Sequence, residues 1–281
     1  MSPTGVFTGP IPRVEASSTH RAFVRAATPS SILVPITEAR KLVNRGETAS
    51  SFYGPETTAI TTTTVRDEYL QQITAEDELR IVSEFGADGH VPADRSVYED
   101  QPRDEQLARI NRYLESIIWL AEQFETETDL GGRSDGDGAA DRESGTGVGS
   151  SSVAGVDRDG PAFVPLVKGL QAPEREVAYR VFEDVEAGQY SFYGVQYFSG
   201  GAGPTELVRD VRAVADEIDR PLFVIGLLSP TYLRRLPENV VAASGMNQWR
   251  SAVRPRRVED DAEEMRHRWR EFADEVREAL R

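Results

Sequence analysis

The chain has 281 residues, 47 acidic against 32 basic ones, a formal net charge of -15 and no cysteine. That length can bury a sizeable core, as one large α/β domain or two small ones. The missing cysteine excludes a disulfide framework, a thiolate nucleophile and Cys-ligated zinc, and the acidity argues against a non-specific nucleic-acid binder.

Residues 1–20 are rich in Pro, Ser and Thr without stable periodicity, which predicts a flexible N-terminal arm. The start of the chain has no signal-peptide pattern, and no stretch approaches the ~18 apolar residues of a membrane span, so a cytoplasmic protein with no membrane partner is expected. Lysine occurs only at Lys41 and Lys168, and arginine supplies the other basic residues; with the acidity, this is the composition of a halophilic protein. "AFVRAA" (22–27) is a weak strand candidate, while "SILVPI" (31–36) and "TTAITTTTV" (57–65) are β-branched runs that predict strands. A helix follows to Phe85, with Thr74 as N-cap and Asp77 in the capping-box position. "ADGHVPADRSVYED" (87–100) reads as a strand end running into a polar loop. From Asp104 to Phe124, Leu107, Ile110, Leu114, Ile117, Ile118 and Ala121 recur at helical spacing.

Residues 128–160 are Gly, Ser and Asp with almost nothing to bury, the composition of a disordered insertion. Beyond it strands and helices alternate: "AFVPLVKG" (162–169), a helix from Pro173 to Val185 carrying Val177, Val181 and Phe182, "YSFYGVQYFSGG" (190–201), a helix on Leu207 to Ile218, "PLFVIGLL" (221–228) and "NVVAASG" (239–245). A last helix presents Met265, Trp269, Phe272, Val276 and Leu280. This alternation implies a parallel sheet buried on both sides, and the strand number favours a (β/α)8 TIM-like barrel, regular or irregular, over an open doubly wound sheet. The barrel would be a single domain over 21–281, interrupted at 128–160.

In a parallel barrel the ligand site lies at the carboxyl ends of the strands. Strand ends read from the sequence give Asp88, His90 and Asp94 as the acid-base cluster, because a carboxylate and an imidazole two residues apart on extended chain share a side. The same three residues offer the donors of a hard divalent ion, although their spacing matches no strong metal motif, and no metal or cofactor is assigned. Lys168 and Gly169, Gln196, Gly200 and Gly201, Gly226 and Asn247 end the other strands and are the substrate-binding candidates. Arg250, Arg254, Arg256 and Arg257, beside Trp249, combine charge and stacking surface as a nucleic-acid candidate; a solvated connector before the last helix is the blander reading.

The runs "FVPLVKGLQAPEREVAYRVFEDV" (163–185), "YGVQYFSGGAGPTELVRDVRAV" (193–214) and "PLFVIGLLSPTYLRRLP" (221–237) resemble three consecutive βα units of the tRNA-guanine transglycosylase superfamily, barrel enzymes that exchange guanine for a 7-deazaguanine base. The family's Gln-Gly, Gly-Gly and Gly-then-Pro strand ends fall at Lys168-Gly169, Gly200-Gly201, and Gly226 with Pro230. "FGADGHVPADRSVYED" (85–100) resembles the base-recognising strand and would make Asp88 the base-binding acid. The likeness spans roughly residues 80–250 and implies a purine or 7-deazapurine base in tRNA or DNA as ligand. It departs from the family where "NVVAASGMNQWR" (239–250) has no nucleophilic aspartate, where "SSFYGPETTAI" (50–60) has no Ser-Gly-Gly-Phe-type general base, and where the zinc cysteines are missing. Two further alternatives stand beside an active transglycosylase: a base- or nucleic-acid-binding barrel without turnover, and a metal-dependent barrel hydrolase. The oligomeric state is not legible.

Overall fold

The computed structural model describes residues 6–92, 101–131, 160–169, 171–199, 203–255 and 261–281. In chain order the elements are β1 (Gly9–Pro12), α1 (Ser18–Ala27), β2 (Ser31–Pro35), α2 (Ile36–Val43), α3 (Ala49–Tyr53), β3 (Thr58–Thr62), α4 (Asp67–Leu70), α5 (Ala75–Phe85) and β4 (Gly89–Val91). They continue with α6 (Arg103–Gly131), β5 (Ala162–Phe163), α7 (Ala172–Asp184), β6 (Tyr190–Tyr193), α8 (Gln196–Ser199), α9 (Pro204–Ala215), β7 (Leu222–Ile225), α10 (Pro230–Leu233), β8 (Val240–Gly245), α11 (Asn247–Val253) and α12 (Ala262–Ala279).

The strands form two four-stranded sheets, ordered β1-β8-β7-β6 and β2-β3-β4-β5, and every pairing within them is parallel. Two single bridges, also parallel, join the sheets: Arg13 to Leu33 beyond β1, and Leu166 to Ser191 beyond β5. Backbone bonds accompany both, from Val14 N to Leu33 O at 2.9 Å and from Val167 N to Ser191 O at 2.8 Å.

Residues paired across a ladder share a face, so the register assigns the two sides of each sheet. One face carries the row Ile11–Ser244–Ile225–Tyr193 and, in the other sheet, Leu33–Ile60–Gly89–Ala162. Phe7 occupies the space beside Gly89, where an added Cβ would come within 2.4 Å of its ring, and its backbone is held at both polar atoms by the side chain of Gln189. The opposite face carries Thr61, His90 and Phe163 in one row, toward the helices.

Several elements differ from the sequence expectation. The segment expected as an arm contains β1 and the start of α1, because Ile11 and Val14 are fully buried and Ser17 caps α1 through His20 N. "AFVRAA" lies inside α1, where Phe23 stacks on Trp249 at 4.2 Å, so tertiary aromatic packing sets the outcome of an ambiguous short run. Thr74 caps α5 through Asp77 N, as the sequence predicts. The helix expected from 104 to 124 runs on to Gly131, four residues into the expected insertion, whose residues 132–159 lie outside the described ones. Leu107 and Ile118 on this helix and Val177 on α7 are exposed rather than core. The strand expected over 190–201 stops at Tyr193 and gives way to α8.

Candidate functional site at the carboxyl ends of the strands

Because all pairings are parallel, the carboxyl ends of the strands open on one side. Arg13 stands just past β1, two residues beyond Ile11, and therefore on the same face as Ser244 and Tyr193. Its Nη2 donates to the carbonyl of Thr64 at 2.8 Å and its Nη1 to Thr64 Oγ1 at 3.2 Å. Thr64 Oγ1 is also 2.8 Å from Thr62 Oγ1, so the threonine run after β3 supplies a ladder of hydroxyls at this end.

Burial pulls the Arg13 guanidinium below its ordinary value, against the opposing influence of Tyr193 and Glu15. The residue as a whole is only partly buried. Among the described residues Arg13 forms no ion pair, which leaves the rest of its N–H fork for a ligand. Ser244 adds a second signal: it is fully buried, and its Oγ has no hydrogen-bond partner among the described residues. An unsatisfied buried hydroxyl is costly, and a bound ligand would offset that cost. Glu15 supplies a carboxylate beside Arg13. Its charge also raises the Tyr53 hydroxyl, after burial and Glu38.

The sequence-predicted residues are dispersed. Asp88 lies at the opposite, amino end of β4, where Oδ2 accepts from Ala59 N at 2.8 Å. His90 is inside β4 on the helix-facing side, fully buried between Thr61 Oγ1 at 2.8 Å and Glu78 Oε1 at 2.7 Å. Neither reaches the carboxyl end, and the reason is positional: Asp88 precedes β4, and the period of two turns His90 outward. Asp94 lies outside the described residues, as do Gly200, Gly201, Arg256 and Arg257.

Lys168 does follow β5, but its Nζ sits over the ring of Tyr113 from α6, at 5.8 Å from the centroid. Gly169 takes a positive φ of 121° and packs on Glu174. Gln196 opens α8 and is exposed. Gly226 ends β7 with φ 103°, and Val195 leaves no space for a side chain there. Asn247, Arg250 and Arg254 come together in a cleft of about 760 Å³ that also has Glu15, Ser17 and His20 in its wall. Among the described residues no three of His, Asp and Glu group as a metal ion would require, and no helix is long and apolar enough to cross a membrane.

Sequence reasoning missed Arg13 and Thr64, and it placed Ser244 at a strand end without choosing it as a binding residue. The first fell in the presumed arm and the second in a run read only for its β-branching. For Ser244 the signal was its place at the end of a predicted strand. No family model matches the chain, and no curated protein matches it.

Proposed function

We propose that the eight parallel strands close into one irregular (β/α)8-type barrel that binds a planar purine-like base at the carboxyl ends of its strands, with Arg13 as the reader of the base edge. Closure is supported by the two parallel bridges that join the edge strands of the sheets. The observation that carries the ligand assignment is the part-buried Arg13 fork, which forms no ion pair among the described residues, beside the Ser244 hydroxyl, which has no hydrogen-bond partner among them. A guanidinium donates two parallel hydrogen bonds to adjacent acceptors, the arrangement presented by O6 and N7 of guanine. The reading keeps the base-binding sense of the transglycosylase resemblance and moves its reader from Asp88 to Arg13.

Calorimetric titration with guanosine, 7-deazaguanosine and adenosine tests it. Guanosine should bind best, since 7-deazaguanosine lacks the second acceptor and adenosine offers a donor at position 6. Equal binding of all three, or binding of none, would overturn the assignment.

Base exchange is the second reading, favoured by one observation: Glu15 places a carboxylate at the same end as Arg13. Exchange of labelled guanine into tRNA or DNA that is abolished by Glu15→Gln would establish turnover. Saturable nucleoside binding without exchange would leave a binding protein.

A further inference from the structure

A second cleft, of about 710 Å³, runs beside α1 and is walled by Ser18, Arg21, Arg25, Arg45, Glu47 and Phe52. Three arginines face one glutamate here, in a chain that carries 47 acidic residues against 32 basic ones. None of the three pairs with a carboxylate among the described residues. Arg21 lies over the Phe52 ring at 5.2 Å, and Arg25 donates to the carbonyls of Phe52 and Ser51 at 3.1 and 2.8 Å. Arg45, just past α2, is exposed and has no side-chain hydrogen bond among the described residues.

Arg21 and Arg25 are four residues apart on α1, a like-charge spacing that destabilises a helix by a few tenths of a kcal/mol. Across the start of α1 a second arginine pair, Arg250 on α11 and Arg254 at its left-handed C-cap, shares the 760 Å³ cleft with Asn247. The two clefts border the same stretch: Ala16 and Ser18 wall one, Ser17 and Thr19 the other. Two like-charge arginine pairs on either side of a helix start gain from an extended anion that spans them, and a single carboxylate does not reach both.

We infer that the clefts form one track for a chain of phosphoryl groups, laid across the start of α1 from Arg45, Arg25 and Arg21 to Arg250 and Arg254. This chemistry is shared by a free oligophosphate and by the backbone of a nucleic-acid strand. Guanidinium forks bind phosphate oxygens in pairs, and phosphate contacts of this kind give the salt dependence that identifies them.

The test is fluorescence titration of the full chain at 0.1 and 0.5 M salt with two probes, inorganic tripolyphosphate and a fluorescent twenty-nucleotide thymidine strand. We expect at least one to saturate, to weaken with salt, and to lose roughly tenfold in affinity in Arg45→Ala and again in Arg254→Ala, each replacing one charge-assisted contact. Both substituted residues are exposed, so the variants should fold, and unchanged far-UV circular dichroism checks this. Strand binding that tripolyphosphate does not displace identifies the nucleic-acid source, and tripolyphosphate binding alone identifies the free one. The inference is overturned if neither probe binds at 0.1 M salt, or if affinity survives both substitutions. Arg180→Ala, at an exposed arginine outside both clefts, should leave this binding unchanged, and an equal loss there would overturn the track in favour of a general charge effect.

Discussion

Arg13 and Thr64 are joined twice, through the Thr64 carbonyl at 2.8 Å and its hydroxyl at 3.2 Å, so that one guanidinium ties the end of β1 to the end of β3. A lysine at position 13 carries the same charge on a single nitrogen and cannot hold both atoms while offering a flat fork to a ligand. Arg13→Lys should therefore abolish guanosine binding, by more than about tenfold in Kd. Its melting temperature should also fall, because part of the tie to Thr64 is lost, so binding is compared at temperatures where both proteins are folded. An unchanged nucleoside affinity would remove Arg13 from the site.

Ser244 separates ligand binding from stability. Its Oγ has no partner among the described residues, so Ser244→Ala removes a buried polar atom without breaking a bond. The folded state should be unchanged or more stable by up to about 1 kcal/mol in urea denaturation. Guanosine affinity should nevertheless fall. If instead Ser244→Ala destabilises the chain, the hydroxyl has a structural partner and the site loses its second signal.

His90 is placed for bracing rather than for chemistry. Its ring bridges Thr61 on β3 and Glu78 on α5, with both His90 and Glu78 buried. His90→Ala leaves a cavity and takes the imidazole from a buried carboxylate, which should cost roughly 3 kcal/mol. Guanosine binding by the variant that remains folded should match the parent. Loss of binding at unchanged stability would return His90 to the site.

These outcomes mark what the sequence makes legible. Strand-helix alternation and the β-branched runs identify β2, β3, β7 and β8 because those strands are largely buried on both faces, which favours apolar or β-branched runs. Thr74 is legible because capping is local. β1 was not, since "GPIP" has two prolines and little β propensity; its place depends on Ala242 to Gly245 far along the chain. The site failed for a related reason. His90 and Asp88 are attractive as residue types, but which face and which end they occupy is settled by register, and a step of one residue moves a side chain to the other face. Arg13 carries no motif, and only the ladder brings it to Thr64.

Glu217 gives a pH dependence with a defined sign. Arg175 holds it by two hydrogen bonds, one at 2.7 Å from Nε, and Tyr179 donates a third at 2.9 Å, linking α7 to the chain just after α9. The Arg175 hydrogen bond holds the carboxyl below its ordinary value, with burial opposing and Tyr179 adding to it. A group depressed on folding contributes stability that is complete above its unfolded value and is lost as pH falls through the folded one. Glu217→Gln should therefore lower the melting temperature at pH 7, and the gap to the parent should close as pH falls below the ordinary value of 4.5. A gap that persists unchanged well below that range would mean the contribution comes from packing. The arginine and the glutamate are both partly exposed, so raised salt should shrink the effect.

Gly89 and Phe7 make the inner packing testable. A Cβ at Gly89 would fall 2.4 and 2.7 Å from two ring carbons of Phe7 and 3.5 Å from Ile60. The glycine has no positive φ, so an alanine is acceptable to the backbone and the clash is with the ring alone. Phe7 cannot retreat freely, because Gln189 grips its backbone at N and O, at 3.0 and 2.9 Å. Gly89→Ala should cost about 1–3 kcal/mol, the usual penalty of overpacking. Phe7→Leu alone should also destabilise, by leaving unfilled space beside Gly89. In the double variant the methyl occupies space the shorter side chain vacates, and the loss should be smaller than the sum of the two by at least about 0.5 kcal/mol. Strictly additive losses in chemical denaturation would show that Phe7 does not pack against β4.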